Sequence, residues 1–299
     1  MHEYVYNDKY YSIQVKKERL KMMFKRLAAM AMTAVLGAAL LTGCGSSTDS
    51  TSEAPAEGAT TAAESATGAA ATSTVPTVTE GKLIMATNAY FPPYEYYEGS
   101  EIVGIDAEIA EAIGEKLGLE VEIQDMEFDS IITAVSTGKA DIGLAGMTVT
   151  PERKKNINFS DTYATGIQSV IVTEDSDIQS IDDLQGKKIG VQLSTTGDLY
   201  ASDDFGEENV EKFNKGNDAV MALSQGKVDA VIIDNQPALS YVSSTQGLKI
   251  LDTQYAEEEY AACISKDNTE LLDAVNGALA ELKADGTIQS ILDKYIVTE

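Results

Sequence analysis

The stretch AVSTGKADIGLAG at residues 134–146 returns as ALSQGKVDAVIID at residues 222–234. Each copy has the pattern of a helix end, a Gly-Lys turn, one apolar residue, an aspartate and a buried strand. Helix, glycine and strand often follow one another in α/β proteins, so chance similarity is the alternative. Taken as a repeat, the two copies predict two similar lobes.

The chain from Gly81 onward alternates strand and helix signals. Ile105, Ile109, Ile113 and Leu117 recur at the spacing of one helix face, and Asp106 is predicted to cap that helix. Further helices are predicted at 130–137, 196–203, 217–225, 235–245, 269–284 and 287–295, and strands at 82–87, 120–124, 141–145, 168–173, 188–192, 229–233 and 248–252. This alternation indicates an α/β fold with largely parallel sheets.

The first copy runs into AGMTVTPERKK at residues 145–155. Thr150 suits a helix N-cap and Pro151 the first helical position, so Arg153 falls in the first turn. The helix dipole disfavours a cation there, whereas an incoming anion would bind both the guanidinium and the free N–H groups of the turn. The alternative is an exposed Arg153 that pairs with a neighbouring glutamate.

The second copy ends in Asp234, a charge directly after the apolar run at 231–233. Ligands of open α/β sheets bind at the carboxyl ends of strands, which makes Asp234 a candidate binding residue. Asp234 also suits the N-cap of the helix that follows it, and both roles are compatible.

Composition excludes several classes of function. A net charge of −26 argues against a nucleic-acid partner, because phosphate binding needs clustered Lys and Arg. Two cysteines exclude a disulfide framework or a cysteine-rich metal site. The one histidine, His2, lies in the leader and excludes His-based catalysis and His-cluster metal binding in the mature protein. We therefore expect no metal and no cofactor.

The first 44 residues have the pattern of a leader: a short basic segment at 21–26, an apolar segment at 27–40 and then LTGC. This order predicts a secretory signal peptide, too short for a comfortable membrane span. Translation is expected to start at Met22 or Met23, since the preceding residues fit no signal. Residues 45–80 are rich in Ser, Thr, Ala, Glu and Gly, which predicts a disordered linker.

Several ordered motifs resemble one known family. GIDAEI at 104–109 is similar to the signature of family-3 extracellular solute-binding proteins, which serve polar amino acid ABC transporters, although Ala107 replaces a bulkier aliphatic residue. MATNAYFPPYEY (85–96), AGMTVTPERKKNINFSDTY (145–163), GKKIGVQLSTTGDLY (186–200) and IIDNQPA (232–238) also match in order. LTGC resembles a bacterial lipobox, which implies that Cys44 becomes the lipidated N-terminus.

The resemblance implies a two-lobed, type II periplasmic-binding-protein fold with a ligand cleft and two crossover strands, near 163–169 and 255–260. Lobe 1 would contain residues 81–166 and 260–299, and lobe 2 residues 167–259. Hinge closure around a ligand is a known motion of such folds.

The resemblance also implies an amino-acid site. Arg153 would bind the α-carboxylate by a forked pair of hydrogen bonds, with the backbone N–H groups of Thr148 and Thr196 beside it. The carbonyl of Gly146, the hydroxyl of Thr148 and the carboxylate of Asp234 would accept from the α-ammonium. Side-chain recognition would fall to Asn88, Phe91, Phe128 and Gln192, although ordinary core packing is the alternative for both phenylalanines. The two amides favour a neutral polar ligand such as glutamine.

Together these features predict a monomeric, lipid-anchored, extracytoplasmic receptor that binds a polar L-amino acid and delivers it to an ABC importer permease. One alternative is an enzyme of the same fold, such as a cyclohexadienyl or arogenate dehydratase. An enzyme needs a positioned acid or base, and the candidates, Glu95 and Glu152, are equally plausible as surface charges. A surface protein without ligand binding is the third alternative, disfavoured by the Arg153–Asp234 pair.

Overall fold

The computed structural model describes residues 75–252 and 254–296. The predicted leader, its lipidation residue Cys44 and residues 45–74 of the predicted linker lie outside the described part. Fourteen strands are described: β1 (Lys82–Thr87), β2 (Tyr90–Phe91), β3 (Glu95–Glu98), β4 (Glu101–Val103), β5 (Glu120–Asp125), β6 (Ile142–Gly143), β7 (Asn158–Phe159), β8 (Ala164–Thr173), β9 (Ile189–Gln192), β10 (Val210–Phe213), β11 (Ala230–Asp234), β12 (Leu248–Ile250), β13 (Ala256–Tyr260) and β14 (Cys263–Ile264). The described α-helices are α1 (Ile105–Leu117), α2 (Phe128–Ser136), α3 (Thr196–Phe205), α4 (Gly216–Ser224), α5 (Asn235–Ser244), α6 (Thr269–Ala284) and α7 (Thr287–Tyr295).

Lobe 1 is built on a five-stranded sheet in the order β5-β1-β6-β14-β7. β1 runs parallel to β5 and β6, whereas β14 runs antiparallel to β6 and β7. Apolar residues of α1, α6 and α7 form one core cluster with this sheet, and those of α2 contribute to a second. The sheet therefore has two packed cores.

Lobe 2 is built on a six-stranded sheet, β10-β9-β11-β8-β12, with β13 paired to β8. β9 is parallel to β10 and β11, but β8 is antiparallel to each of its partners. α3 packs into one core cluster, and α4 and α5 contribute to the other. The prediction of largely parallel sheets was therefore wrong: both sheets are mixed, because the strands that return from the opposite lobe pair antiparallel.

The sequence repeat is a structural repeat. In the first copy Lys139 N donates to Ala134 O at 2.8 Å, and in the second Lys227 N donates to Ala222 O at 2.9 Å. The aspartates correspond as well: Asp141 accepts from Ile84 N, and Asp229 accepts from Lys188 N, each at 2.8 Å. Each aspartate thus fixes the start of its own strand against the neighbouring strand of its sheet.

Two antiparallel strands connect the lobes. β8 and β13 pair from Ala164 opposite Tyr260 to Gln168 opposite Ala256. β8 then continues into the lobe 2 sheet as far as Thr173, while the chain after β13 enters the lobe 1 sheet as β14. The cleft between the lobes is therefore closed at its back by a two-stranded hinge.

The structure differs from the sequence predictions at the start of lobe 1. Residues 76–80, assigned to the linker, are attached: Val78 N donates to Asp141 at 2.6 Å, and Asn268 donates to Pro76 O at 2.9 Å. Asp106 does not cap α1, because the N-cap is Gly104, whose φ of 125° is unfavourable for other residues. A three-stranded sheet, β2-β3-β4, was not predicted.

Within the described residues, no helix has the length and apolar character needed to cross a membrane.

Candidate functional site

The two lobes face each other across a narrow cleft that is lined by residues of both. Its walls are formed largely by the segments that follow β1, β6, β9 and β11, at the carboxyl ends of these strands, where α/β folds bind ligands. All nine residues that the resemblance implied as ligand contacts line it: Asn88, Phe91, Phe128, Gly146, Thr148, Arg153, Gln192, Thr196 and Asp234.

Arg153 is buried, with 8% of its surface exposed. It begins a single turn of 3-10 helix rather than a longer helix, and Thr150 Oγ1 accepts from its backbone N at 3.1 Å. Its Nη1 donates to Thr148 O at 2.8 Å, and its Nη2 donates across the cleft to Ser194 O at 3.1 Å. Burial lowers the pKa of the guanidinium, but an arginine stays protonated in proteins.

The alternative of an exposed Arg153 that pairs with a neighbouring glutamate is wrong. Glu152 is exposed and forms its ion pair with Lys155 instead. Among the ion pairs of the described residues, none includes Arg153. Two of its five N–H donors are used by backbone carbonyls, so three remain for an anion.

Asp234 lies at the end of β11 and is almost completely buried. It is the N-cap of α5, as predicted, since Oδ1 accepts from Gln236 N at 3.2 Å. Its Oδ2 accepts from the hydroxyl of Tyr260 on the hinge strand β13. Burial raises the pKa of this carboxyl to about 7, against the opposing effect of these hydrogen bonds. The ionised form of Asp234 would therefore be stabilised by a nearby cation.

Gly146 and Thr148 form the lobe 1 wall beside Arg153. Gly146 has a φ of +51°, and a Cβ there would lie 2.9 Å from the ring of Phe91, so only glycine fits. Thr148 Oγ1 lies 3.5 Å from Thr196 Oγ1 of lobe 2. Thr196 is the first residue of α3, whose initial N–H groups have no acceptor within the helix and can bind an anion.

The two amides, Asn88 and Gln192, satisfy each other. Gln192 Nε2 donates to Asn88 Oδ1 at 3.0 Å and is also 3.0 Å from Asn214 O. Asn88 Nδ2 donates to Met126 O at 2.8 Å. Both side chains line the cleft, but their hydrogen bonds are largely used within the protein.

Phe91 and Phe128 contribute partly buried rings to the cleft wall. The ring of Phe128 lies under the guanidinium of Arg153, 5.3 Å from Cζ to the ring centroid, and a cation in this position is attracted to the ring face. Phe91 packs against core residues of both lobes. Each ring therefore combines core packing with a surface that faces the cleft.

Glu95 is the principal cleft residue that sequence analysis misjudged. It is 1% exposed and lines the cleft, whereas the sequence left it equally plausible as a surface charge. Neither carboxyl oxygen receives a hydrogen bond from the described residues. Burial, followed by the nearby Asp106 carboxylate, raises its pKa well above the usual value for glutamate. Glu95 is the first residue of β3, and its sequence position gave no sign of this burial because β3 itself was not predicted.

The hinge strands supply two further buried polar groups. Glu258 on β13 accepts from Thr148 Oγ1 at 3.0 Å and from Gln168 Nε2 at 3.1 Å, and Gln168 on β8 lines the cleft. Glu258 lies within a run of three glutamates, a pattern typical of a solvated surface. Alternation along β13 instead turns its side chain inward.

This geometry agrees with a direct sequence match. Residues 83–298 match the family of bacterial extracellular solute-binding proteins, family 3. The chain belongs to this family. The resemblance inferred from the ordered motifs is thereby confirmed, as is the two-lobed fold.

Three relatives of this family-3 solute-binding protein are informative. The arginine-binding extracellular protein ArtP of Bacillus subtilis (strain 168) is 40% identical over 73% of this chain and 87% of its own. ABC transporter arginine-binding protein 1 of Escherichia coli (strain K12) is 31% identical over 72% of this chain and 90% of its own. A solved structure of an ancestral arginine-binding protein bound to glutamine is 40% identical, with a TM-score of 0.69, and covers 74% of this chain and 100% of the other.

Proposed function

We propose that this chain is the extracytoplasmic receptor of an amino acid ABC importer and that its ligand is a cationic L-amino acid, arginine first. The observation that carries the ligand class is Glu95, a buried carboxyl that lines the cleft and receives no hydrogen bond from the described residues. A buried carboxyl without a donor is costly, and a guanidinium would supply two donors and a positive charge.

The zwitterionic part of the ligand would lie between the lobes. The free face of Arg153 would bind the α-carboxylate, with the N–H groups at the start of α3 beside it. Asp234 would accept from the α-ammonium, together with the Gly146 carbonyl and the Thr148 hydroxyl. The aliphatic part of the arginine side chain would pass between Phe91 and Phe128, so that its guanidinium reaches Glu95.

The cleft's charges also favour a cationic ligand. Arg153 is the only cationic side chain among the described residues that line it, whereas Asp234 and Glu95 are acidic and Glu258 lies just behind Thr148. A ligand with a net charge of +1 compensates this excess better than a neutral one.

This proposal revises the expectation of glutamine. That expectation rested on Asn88 and Gln192, which are hydrogen-bonded to each other and to backbone carbonyls. Two relatives are named arginine-binding proteins, and a third, an ancestral arginine-binding protein, is bound to glutamine. Arginine is therefore proposed as the preferred ligand and glutamine as a weaker one.

Calorimetry with arginine and citrulline tests the ligand class, because citrulline replaces the guanidinium with a neutral group of nearly the same shape. We expect arginine to bind at least about tenfold more tightly, or 1.4 kcal/mol. Agmatine, which lacks the α-carboxylate, should bind poorly. Tighter binding of citrulline or glutamine than of arginine would refute the cationic ligand, and binding of none of them would refute the receptor.

Membrane anchoring at Cys44 and delivery to a permease complete the proposal. They are supported by the LTGC motif after a basic and apolar segment and by the ABC transporter name of the E. coli relative. Two acyl chains are enough for stable anchoring. Cys44→Ala should leave the precursor uncut or release the protein from the membrane fraction. Normal processing and membrane retention of that variant would contradict the anchor.

A further inference from the structure

Glu95 and Asp106 are two buried carboxyls that the local fold places side by side. The turn at Gly104 brings the chain back so that Ile105 N donates to Pro93 O at 3.0 Å and Asp106 N donates to Tyr94 O at 2.8 Å. Asp106, in the first turn of α1, is therefore held against the residue that precedes Glu95. Both side chains are buried, and Glu95 is the one that lines the cleft.

The rest of the protein supplies only part of the hydrogen bonds that this pair of carboxyls can accept. Asp106 Oδ2 accepts from Gly146 N at 2.7 Å and from Tyr163 OH at 2.8 Å. Asp106 Oδ1 and both oxygens of Glu95 receive none from the described residues. Two adjacent carboxyls cannot both be ionised without a compensating cation, and one proton between them supplies the missing donor.

The other groups around Glu95 do not supply that cation. It is faced by Asp125 at the end of β5 and by Asp234 at the end of β11, both acidic. Tyrosines complete its titratable surroundings: Tyr94 before β3, Tyr163 before β8 and Tyr241 on α5. The pKa of Glu95 is raised well above its usual value and that of Asp106 to about 6, in each case chiefly by burial.

We propose that Glu95 and Asp106 share one proton in the unliganded protein and release it to solvent when a cationic ligand side chain binds Glu95. This inference rests on the proposed function. The guanidinium keeps its own proton, the carboxyl O–H bond breaks, and an ion pair forms in its place. Asp106 acts as a positioning residue that does not touch the ligand. The pair thereby sets the preference of the cleft for cationic over neutral side chains and makes that preference depend on pH.

The direction of the pH dependence follows from linkage. A ligand that favours the ionised pair binds more tightly as pH rises toward the pKa of the unliganded pair, by up to about tenfold per pH unit for one released proton. A neutral side chain can accept from the protonated Glu95 and gains nothing from ionisation. The ratio of the arginine to the citrulline affinity should therefore rise with pH.

Calorimetry of the full-length protein in pairs of buffers with different ionisation enthalpies counts the protons released. Arginine and citrulline should be compared between pH 5 and pH 8, since both carry the same α-ammonium and any release from Asp234 cancels in the difference. We expect arginine to release more protons than citrulline, by as much as one per ligand. In Asp106→Asn, whose amide can donate to Glu95, the difference should vanish while arginine still binds.

The outcomes separate this inference from the proposed function. If arginine binds more tightly than citrulline but both release the same number of protons at every pH, the shared proton is refuted and the arginine receptor stands. If arginine has no preference over citrulline, the proposed function fails first. Should Asp106→Asn not fold, the comparison of the two ligands on the unmodified protein still decides the question.

Discussion

Gln192 of lobe 2 donates a 3.0 Å hydrogen bond to Asn88 of lobe 1, a pair separated by 104 residues in sequence. The bond joins the two walls of the cleft directly. Tyr241 of α5 likewise donates to Tyr90 O, and Lys215 Nζ lies 3.4 Å from the centre of the Tyr90 ring. The lobes thus contact each other through protein groups at several points around the proposed ligand site.

Gln192→Ala should weaken binding of every ligand by a similar factor. One neutral hydrogen bond contributes about 0.5–1.5 kcal/mol, so the loss should be roughly two- to tenfold. Calorimetry with arginine and citrulline measures it, and Gln185→Ala, an exposed glutamine of lobe 2, is the control. A loss of affinity confined to citrulline would instead indicate that the Gln192 amide selects the ligand side chain.

Arg153→Lys should reduce arginine affinity by at least about a hundredfold, or roughly 2.7 kcal/mol. Lysine keeps the positive charge but cannot bind two backbone carbonyls and a carboxylate fork together. Calorimetry measures the loss, and Lys154→Ala, the exposed neighbour, should bind normally. Near-normal affinity of a folded Arg153→Lys would place the α-carboxylate elsewhere.

Citrulline affinity should fall as pH drops below about 7. Burial raises the pKa of Asp234 to about 7, and only its ionised form attracts the α-ammonium. The citrulline affinity therefore has its full value above that pKa and falls as the carboxyl takes up a proton. Titrations of citrulline from pH 5 to pH 8 test this, because its neutral side chain gains nothing from ionisation of Glu95. Asp234→Asn should bind citrulline weakly at every pH. If its citrulline affinity still fell below pH 7, Asp234 would not be the titrating group.

Without ligand, the protein should lose stability as pH rises from about 4 to about 7. The pKa values of Asp106 and Asp234 are raised in the folded state to about 6 and about 7, so the folded chain holds protons that the unfolded chain has released. Each tenfold difference in proton affinity between the folded and unfolded chain corresponds to about 1.4 kcal/mol, so Asp234 alone accounts for on the order of 4 kcal/mol.

Denaturant titrations at pH 5 and pH 8 measure this slope. Asp234→Asn should flatten it and be more stable than the unmodified protein at pH 8, a gain in stability at the cost of binding. Equal slopes for the two proteins would show that Asp234 does not carry the effect.

Local patterns predicted most of the fold because they act over a few residues. Asp141 and Asp229 follow Gly-Lys turns in both copies of the repeat and fix equivalent strands. Arg153 and Asp234 were predictable as charges out of place, one in a helical first turn and one at the end of an apolar strand.

The missed features depend on contacts between distant segments. Glu95 faces Asp106 only because the chain turns at Gly104, and nothing around Glu95 in sequence marks it as buried. Asn88 and Gln192 look like free amides until the lobes bring them together. Mutual satisfaction of polar groups is a property of the folded pair, and neither local sequence encodes it.

The path of the chain through the hinge sets an order of assembly during synthesis. Lobe 2 is made from one continuous stretch, but β14 lies between β6 and β7 in lobe 1 and comes from the far end of the chain. A nascent chain that has emerged as far as Tyr260 can complete lobe 2, whereas lobe 1 still lacks an interior strand and two helices. The lobe that begins first is therefore finished last, because it has to wait for β14, α6 and α7.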